Sequence, residues 1–316
     1  RERGEESRRR KRRGEAVGSL FSSELQAGIA YALLAGALWG IGPLLLKRAL
    51  KYTNVSTATL VEQNVSVALI VGLAFYFGEI GQLDFTSRAF WAFFLAGALG
   101  ASFGKVFYYR GIDKVGASKA TSVKNSSPFL TAILAVLFLG ESMSWFLAAG
   151  VTLIVLGIAV LAQTAASGER NVDRLQYFLY PIIAALCFGV NPIFKKFGID
   201  AAGLPVLGTM ITQVTALIFM LLFARAIGLQ IKWEPVPAKA LVLCTLSGIT
   251  EGLGSLFTFF ALVHGPAALL SPIWRISPLV TFVLAHFTLR GIEVVPVRDG
   301  VAAGFIVAGV FVLSQG

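Results

Sequence analysis

Apolar runs follow one another along almost the whole chain, each closed by a short polar break. A helix needs about 20 apolar residues to cross a hydrocarbon core. The pattern predicts ten such spans, at about 26–46, 56–77, 88–110, 115–139, 144–163, 175–195, 203–225, 238–262, 266–289 and 297–314. Most breaks are only a few residues long, so no soluble domain fits between spans. Lipid offers no partner to a free backbone N–H or C=O, which leaves helices or closed barrels as spanning structures. The alternating pattern of a membrane barrel is absent. The chain reads as an all-α polytopic membrane protein.

The most linker-like stretch, TAASGERNVDR at 164–174, divides the spans into five and five. The two sets match. WGIGPLLLKR (39–48) resembles FGVNPIFKKF (188–197), with Gly40 and Pro43 falling on Gly189 and Pro192, 149 residues on. VGASKATSVKNSSPFLTAIL (115–134) resembles HGPAALLSPIWRISPLVTFVL (264–284), with Ala117, Ser127 and Pro128 falling on Ala267, Ser277 and Pro278, 150 on. LGIAVLAQ (156–163) resembles AGVFVLSQ (308–315), and Glu141 shares its offset of 152 with Glu293. Three ordered matches with so small a drift predict a duplication: a first repeat over 25–163 and a second over 175–316, after a basic tail over 1–24. Five spans is an odd number, so the halves must be inverted relative to one another. Inverted repeats are a transporter signature, with the substrate site near the midplane between halves.

Polar residues inside the spans mark that site, because charge within a membrane is expensive and usually faces a bundle interior or water. Lys124-Asn125 aligns with Trp274-Arg275, just before Ser-Pro in each half. Each half thus offers one cation beside a proline, and the proline leaves an upstream carbonyl without its helical donor. Ser127 stands within the first of these breaks. Thr59, Glu62, Gln63 and Ser66 share one face of span two, and Gln213 is the repeat partner of Gln63. Ser247, Glu251, Ser255 and Thr258 share a face of span eight, and Ser102, Lys105 and Tyr109 a face of span three. The plainer readings are an ion pair of Lys124 or Arg275 with Glu62 or Glu251, and snorkelling of Lys105 and Lys119 to the headgroups. GASFG (100–104) matches the G-x-S-x-G pattern of a nucleophilic serine, but lacks the strand–turn–helix elbow that pattern belongs to. A rhomboid-like protease is therefore the remote alternative, and helix packing explains the glycines.

Composition refines this picture. The chain of 316 residues is 56% hydrophobic and 14% charged, where soluble domains carry about 25% charge. Of its net charge of +10, a net +4 sits in RERGEESRRRKRRGE at the start, which carries eight Lys/Arg and four Glu. That segment predicts a disordered tail that fixes topology and touches anionic headgroups, not a nucleic-acid site. It favours cytoplasmic termini, although Lys47, Arg48, Lys51, Arg110, Lys114, Arg170 and Arg174 then fall outside, against the positive-inside rule. Two cysteines and two histidines with no metal spacing predict neither a disulfide framework nor a metal or cofactor site.

YALLAGALWG at the start of the first repeat, and SPFLTAILAVLFLGE with GVTLIVLGIAVL at its close, resemble the drug/metabolite transporter superfamily, and within it the EamA-type permeases. The resemblance covers about residues 25–315. The second repeat departs with LRGIE, where an insertion separates Leu289 from Glu293. The resemblance implies a multi-pass plasma-membrane permease, not an enzyme, with a central cavity and alternating access. Its substrates would be amino acids, other small metabolites, nucleotide sugars or phosphorylated sugars. The plastid phosphate translocators of that superfamily hold phosphate with a Lys in span four and a Lys-Arg pair in span nine. Lys124 and Arg275 are similar in placement, but Trp274 stands where the pair's Lys would be. One cation fewer and one aromatic more suits a carboxylate at least as well. The expected site is therefore Lys124, Asn125, Ser127, Trp274 and Arg275 for an anionic or zwitterionic substrate. Lys105, Tyr109, Gln63 and Gln213 line it, and Glu62 and Glu251 meet an amine, balance the cations or carry a coupling proton. A counter-substrate is the other coupling partner, and phosphorylated-metabolite or nucleotide-sugar exchange is the alternative function.

Overall fold

A computed structural model of the chain describes residues 2–115, 123–124, 126–142, 144–164, 175–223, 236–288 and 297–313. Among these residues there is no strand. α1 (Glu2–Ala49) and α2 (Val55–Tyr76) form the first two spans. The third is α3 (Arg88–Leu95), a π-helical stretch (Ala96–Phe103) and α4 (Gly104–Val115). The fourth ends with α5 (Ser127–Leu134) and a second π stretch to Leu139, and the fifth is α6 (Trp145–Thr164). The second repeat comprises α7 (Leu179–Ala202), α8 (Pro205–Leu222), α9 (Ala238–His264), the broken pair α10 (Ala267–Trp274) and α11 (Ser277–Thr288), and α12 (Val297–Leu313). Among the described residues six helical stretches, one of them the composite third span, are long and apolar enough to cross a membrane. Tyr76, Trp91 and Trp145 stand exposed near span ends, where amphipathic rings suit a headgroup layer.

α1 includes the basic segment, starting at Glu2. Glu, Arg and Lys are good helix formers. Glu5 and Glu6 precede Arg9 and Arg10 by four residues, the favourable order for a helical pair.

The repeats interlock reciprocally. α1 packs along α9 of the other repeat, and its counterpart α7 packs along the α3–α4 span. A Cβ on Gly40 would meet Val280 Cβ at 2.5 Å and Ser277 O at 2.9 Å, and one on Gly189 would meet Leu130 Cβ at 2.7 Å and Ser127 O at 3.1 Å. Gly157 presses on Ala302 and Ile306, and Gly309 on Gly150 and Ile154. Each contact is the other moved by 149 to 152 residues, the offsets found in the sequence. The π stretch explains one departure. Gly104 corresponds to Gly254, but Gly97, which meets Thr212 O, corresponds to Gly248, which meets Glu62 O. The third span carries one residue more than the eighth over that stretch, and a π-bulge is how a helix absorbs one.

The two larger described cores lie toward the helix end where α3, α8 and α10 start. One core gathers Ala32, Ile154, Leu262, Leu270, Ile273 and Ile306, and a second gathers Ile70, Phe93, Ile199, Met210 and Phe259. At the opposite end the described core is only Ala49, Ala58 and Cys244.

Candidate functional site

Spans four and nine break at corresponding places. Pro128 and Pro278 have no N–H to donate, so the chain makes tighter turns upstream. Ser126 N donates to Val123 O (3.1 Å) and Phe129 N to Ser126 O (3.0 Å). In the second repeat, Ile276 N donates to Ile273 O (3.2 Å) and Leu279 N to Ile276 O (2.8 Å). A threonine then ties each broken helix to the other repeat. Thr131 Oγ1 donates to Gly189 O and Thr281 Oγ1 to Gly40 O, both at 2.8 Å.

These breaks bring the two cations together. Lys124 Nζ lies 5.6 Å from the Phe188 ring centre and 4.8 Å from that of Tyr108. The Arg275 guanidinium lies 5.3 Å from the Phe188 centre, and Nη2 donates to Phe188 O at 3.4 Å. One aromatic ring thus serves a cation from each repeat. Such a contact gives only about 0.5–2 kcal/mol and leaves both charges unneutralised. Neither cation is ion-paired among the described residues, so the plain ion-pair reading finds no support. Both are partly exposed.

The carboxylates form the other pole. Glu62 Oε1 accepts from Ser247 Oγ at 2.7 Å and stands within electrostatic reach of Glu251 and Lys105. Lys195, absent from the sequence-derived site, bridges the poles. It is 5% exposed, its Nζ donates to Thr258 Oγ1 at 3.1 Å, and it lies 4.6 Å from the Phe259 ring centre. Glu251 and Arg275 are both within its electrostatic reach. The span expected over about 175–195 ends at this lysine, but α7 runs seven residues further, to Ala202. Its neighbour Lys196 turns away to Asp200 at 2.8 Å. Phe188 was also missed; its only sequence signal is that it is the repeat counterpart of Trp39.

The remaining candidates divide. Gln63 Nε2 donates to Gln213 Oε1 at 3.2 Å, and Gln213 Nε2 to Ser66 Oγ at 3.2 Å. These repeat partners meet each other on the pseudo-twofold axis, and both are buried. Trp274 packs into the apolar core. Ser127 is buried, and its Oγ has no hydrogen-bond partner among the described residues. Asn125 and the side chain of Tyr109 lie outside the described residues, as do Lys119 and Glu293. Ser102 Oγ donates to Gly97 O (3.2 Å) and Ala216 O (3.4 Å), in the manner of a helix-packing serine. A cavity of about 460 Å³ lies apart from the cations, at the end where α3 and α8 start, lined by Gln82, Asp84, Arg88, Phe90 and Leu207.

The glutamine pair yields a stability prediction. Gln63→Leu leaves Gln213 buried and short of a partner, a loss of about 1–3 kcal/mol. Gln63→Leu with Gln213→Leu loses less than the sum of the two single changes. Thermal melting of the three variants in one detergent checks this; strictly additive losses contradict the pairing.

The EamA-like transporter family matches the chain over residues 26–163 and again over 176–315. A solved protein, described only as "Crystal structure of protein", shares the fold with a TM-score of 0.74 at 17% identity, over 92% of this chain and 97% of its own. No curated protein matches.

Proposed function

Because the chain belongs to the EamA-like transporter family, an integral membrane family of transporters, we propose that it carries small metabolites bearing an anionic group, amino acids or organic anions, by alternating access between its repeats. The observation that supports this most is the convergence of Lys124 and Arg275 on Phe188, one cation from each repeat, with no carboxylate paired to either among the described residues. Two cations held near each other in a partly desolvated space favour an anion between them. A guanidinium clasps a carboxylate or phosphate with two parallel bonds. Glu62 and Glu251 receive the amine of a zwitterion or a coupling proton. The basic segment favours a plasma-membrane orientation with both termini in the cytoplasm.

One observation favours the second reading, exchange of phosphorylated metabolites or nucleotide sugars. Lys195 adds a third cation within electrostatic reach of Arg275, which offsets the lysine that Trp274 replaces. The test is a thermal-shift screen of the purified protein against a metabolite library. Carboxylates or amino acids among the stabilising compounds support the first reading, and phosphate esters alone support the second. Stabilisation by hydrophobic cations contradicts both.

A further inference from the structure

Glu141 closes the LGE motif of the first repeat, away from the two cations. Gly140 before it has φ 68°, a left-handed turn that ends the fourth span. The Glu141 side chain then reaches the second repeat. Its Oε1 accepts from Ala267 N at 2.7 Å and its Oε2 from Ala268 N at 2.9 Å. These are the first two residues of α10, whose N–H groups have no partner within the helix. Pro266, at the N-cap, makes no side-chain capping bond. The carboxylate from the other repeat fills that role, at the positive end of the helix dipole.

All eight residues of α10 are buried, and the residue that caps its far end is Arg275. The helix is about 12 Å long at 1.5 Å per residue. A short rod locked in close packing moves as a unit. One end of the rod is held by a carboxylate of the first repeat, and the other carries the cation of the site. Glu79 makes a matching bond, with Oε2 accepting from Leu207 N near the start of α8 at 2.7 Å. Both carboxylates cross between repeats at the end where α8 and α10 start.

From this geometry we infer that Glu141 is a positioning residue: through α10 it fixes where Arg275 stands, tying that position to the first repeat. Its importance for transport rests on the role proposed above for Arg275, but the placement of Arg275 is measurable without any substrate. The test is the rate at which phenylglyoxal modifies Arg275 in the intact protein, read by peptide mass spectrometry with exposed Arg88 as reference. In Glu141→Gln the amide keeps one acceptor oxygen and turns a donor nitrogen toward the other N–H, so one bond becomes neutral and one is lost, and the Arg275 rate rises about ten-fold relative to Arg88. Glu141→Asp, which keeps the charge on a shorter arm, gives an intermediate rise. Buried Cys244 remains unreactive to a thiol reagent while the fold is intact. If it reacts in Glu141→Gln, the folded Glu141→Asp protein decides. A cap with only local effect leaves the Arg275 rate unchanged, and that result overturns the inference. Unaltered anion binding in Arg275→Gln would instead overturn the ligand role of Arg275 and leave this result standing.

Discussion

Arg275→Gln weakens binding of an anionic substrate by about ten- to a hundred-fold and raises the melting temperature of the empty protein. The first effect follows from losing charge-assisted hydrogen bonds of about 1.5–3 kcal/mol, at about 1.4 kcal/mol per factor of ten. The second separates a ligand site from a structural one. Lys124 and Arg275 face the same ring, with no carboxylate paired to either among the described residues. Without substrate they repel one another, so removing one relieves the empty protein. A structural ion pair predicts the reverse, because its loss would strand a buried charge at about 3–5 kcal/mol. Arg275→Lys keeps the charge but not the planar fork and falls between. Lys124→Gln behaves like Arg275→Gln. Melting with and without the best stabilising anion measures both effects, and a lower melting temperature for the empty variants would return these cations to a structural role.

Gly198→Ala destabilises the protein by about 1–3 kcal/mol or more, although it adds a better helix former. The propensity gain is about 1 kcal/mol. Against it stands a clash, since a Cβ on Gly198 falls inside the ring of Phe93. That ring cannot step aside. Phe93 is 1% exposed, a Cβ on Gly208 would lie 2.8 Å from it, and Phe259 meets it edge-on at 5.6 Å. Phe93 thus occupies a hollow made by glycines of two helices, α7 and α8. Gly198→Ala with Phe93→Leu restores part of the loss, because the smaller side chain vacates the space. Thermal melting of the single and double variants measures this. Equal melting of Gly198→Ala and the parent would mean that the hollow is not filled as described.

The duplication was legible because it is written in spacing. The offsets in the sequence reappear as paired contacts: Thr131 on Gly189 and Thr281 on Gly40, and the glycine approaches of spans five and ten. Lys124 and Arg275 were legible for the same reason, as cations at equivalent breaks. What spacing could not supply is which side chains meet across the repeats. Phe188 is one aromatic among many, and nothing local marks it as the ring on which two cations converge. Lys195 was hidden by its neighbour, since adjacent helical residues point about 100° apart. One lysine of that pair goes to Thr258 and the other to Asp200. Trp274 shows the converse: it is adjacent to Arg275 in sequence, yet packs into the core. Glu141 was visible as part of a motif, but its partners lie 126 and 127 residues away in the other repeat.

The most direct measurement is counterflow in liposomes loaded with unlabelled amino acids and organic anions, following entry of the labelled compound. The parent protein should accumulate at least one labelled anion or zwitterion, and Lys124→Ala and Arg275→Ala should each abolish that accumulation while remaining folded. No flux for any of these compounds, or flux unchanged in both variants, would contradict a transport site built from one cation of each repeat.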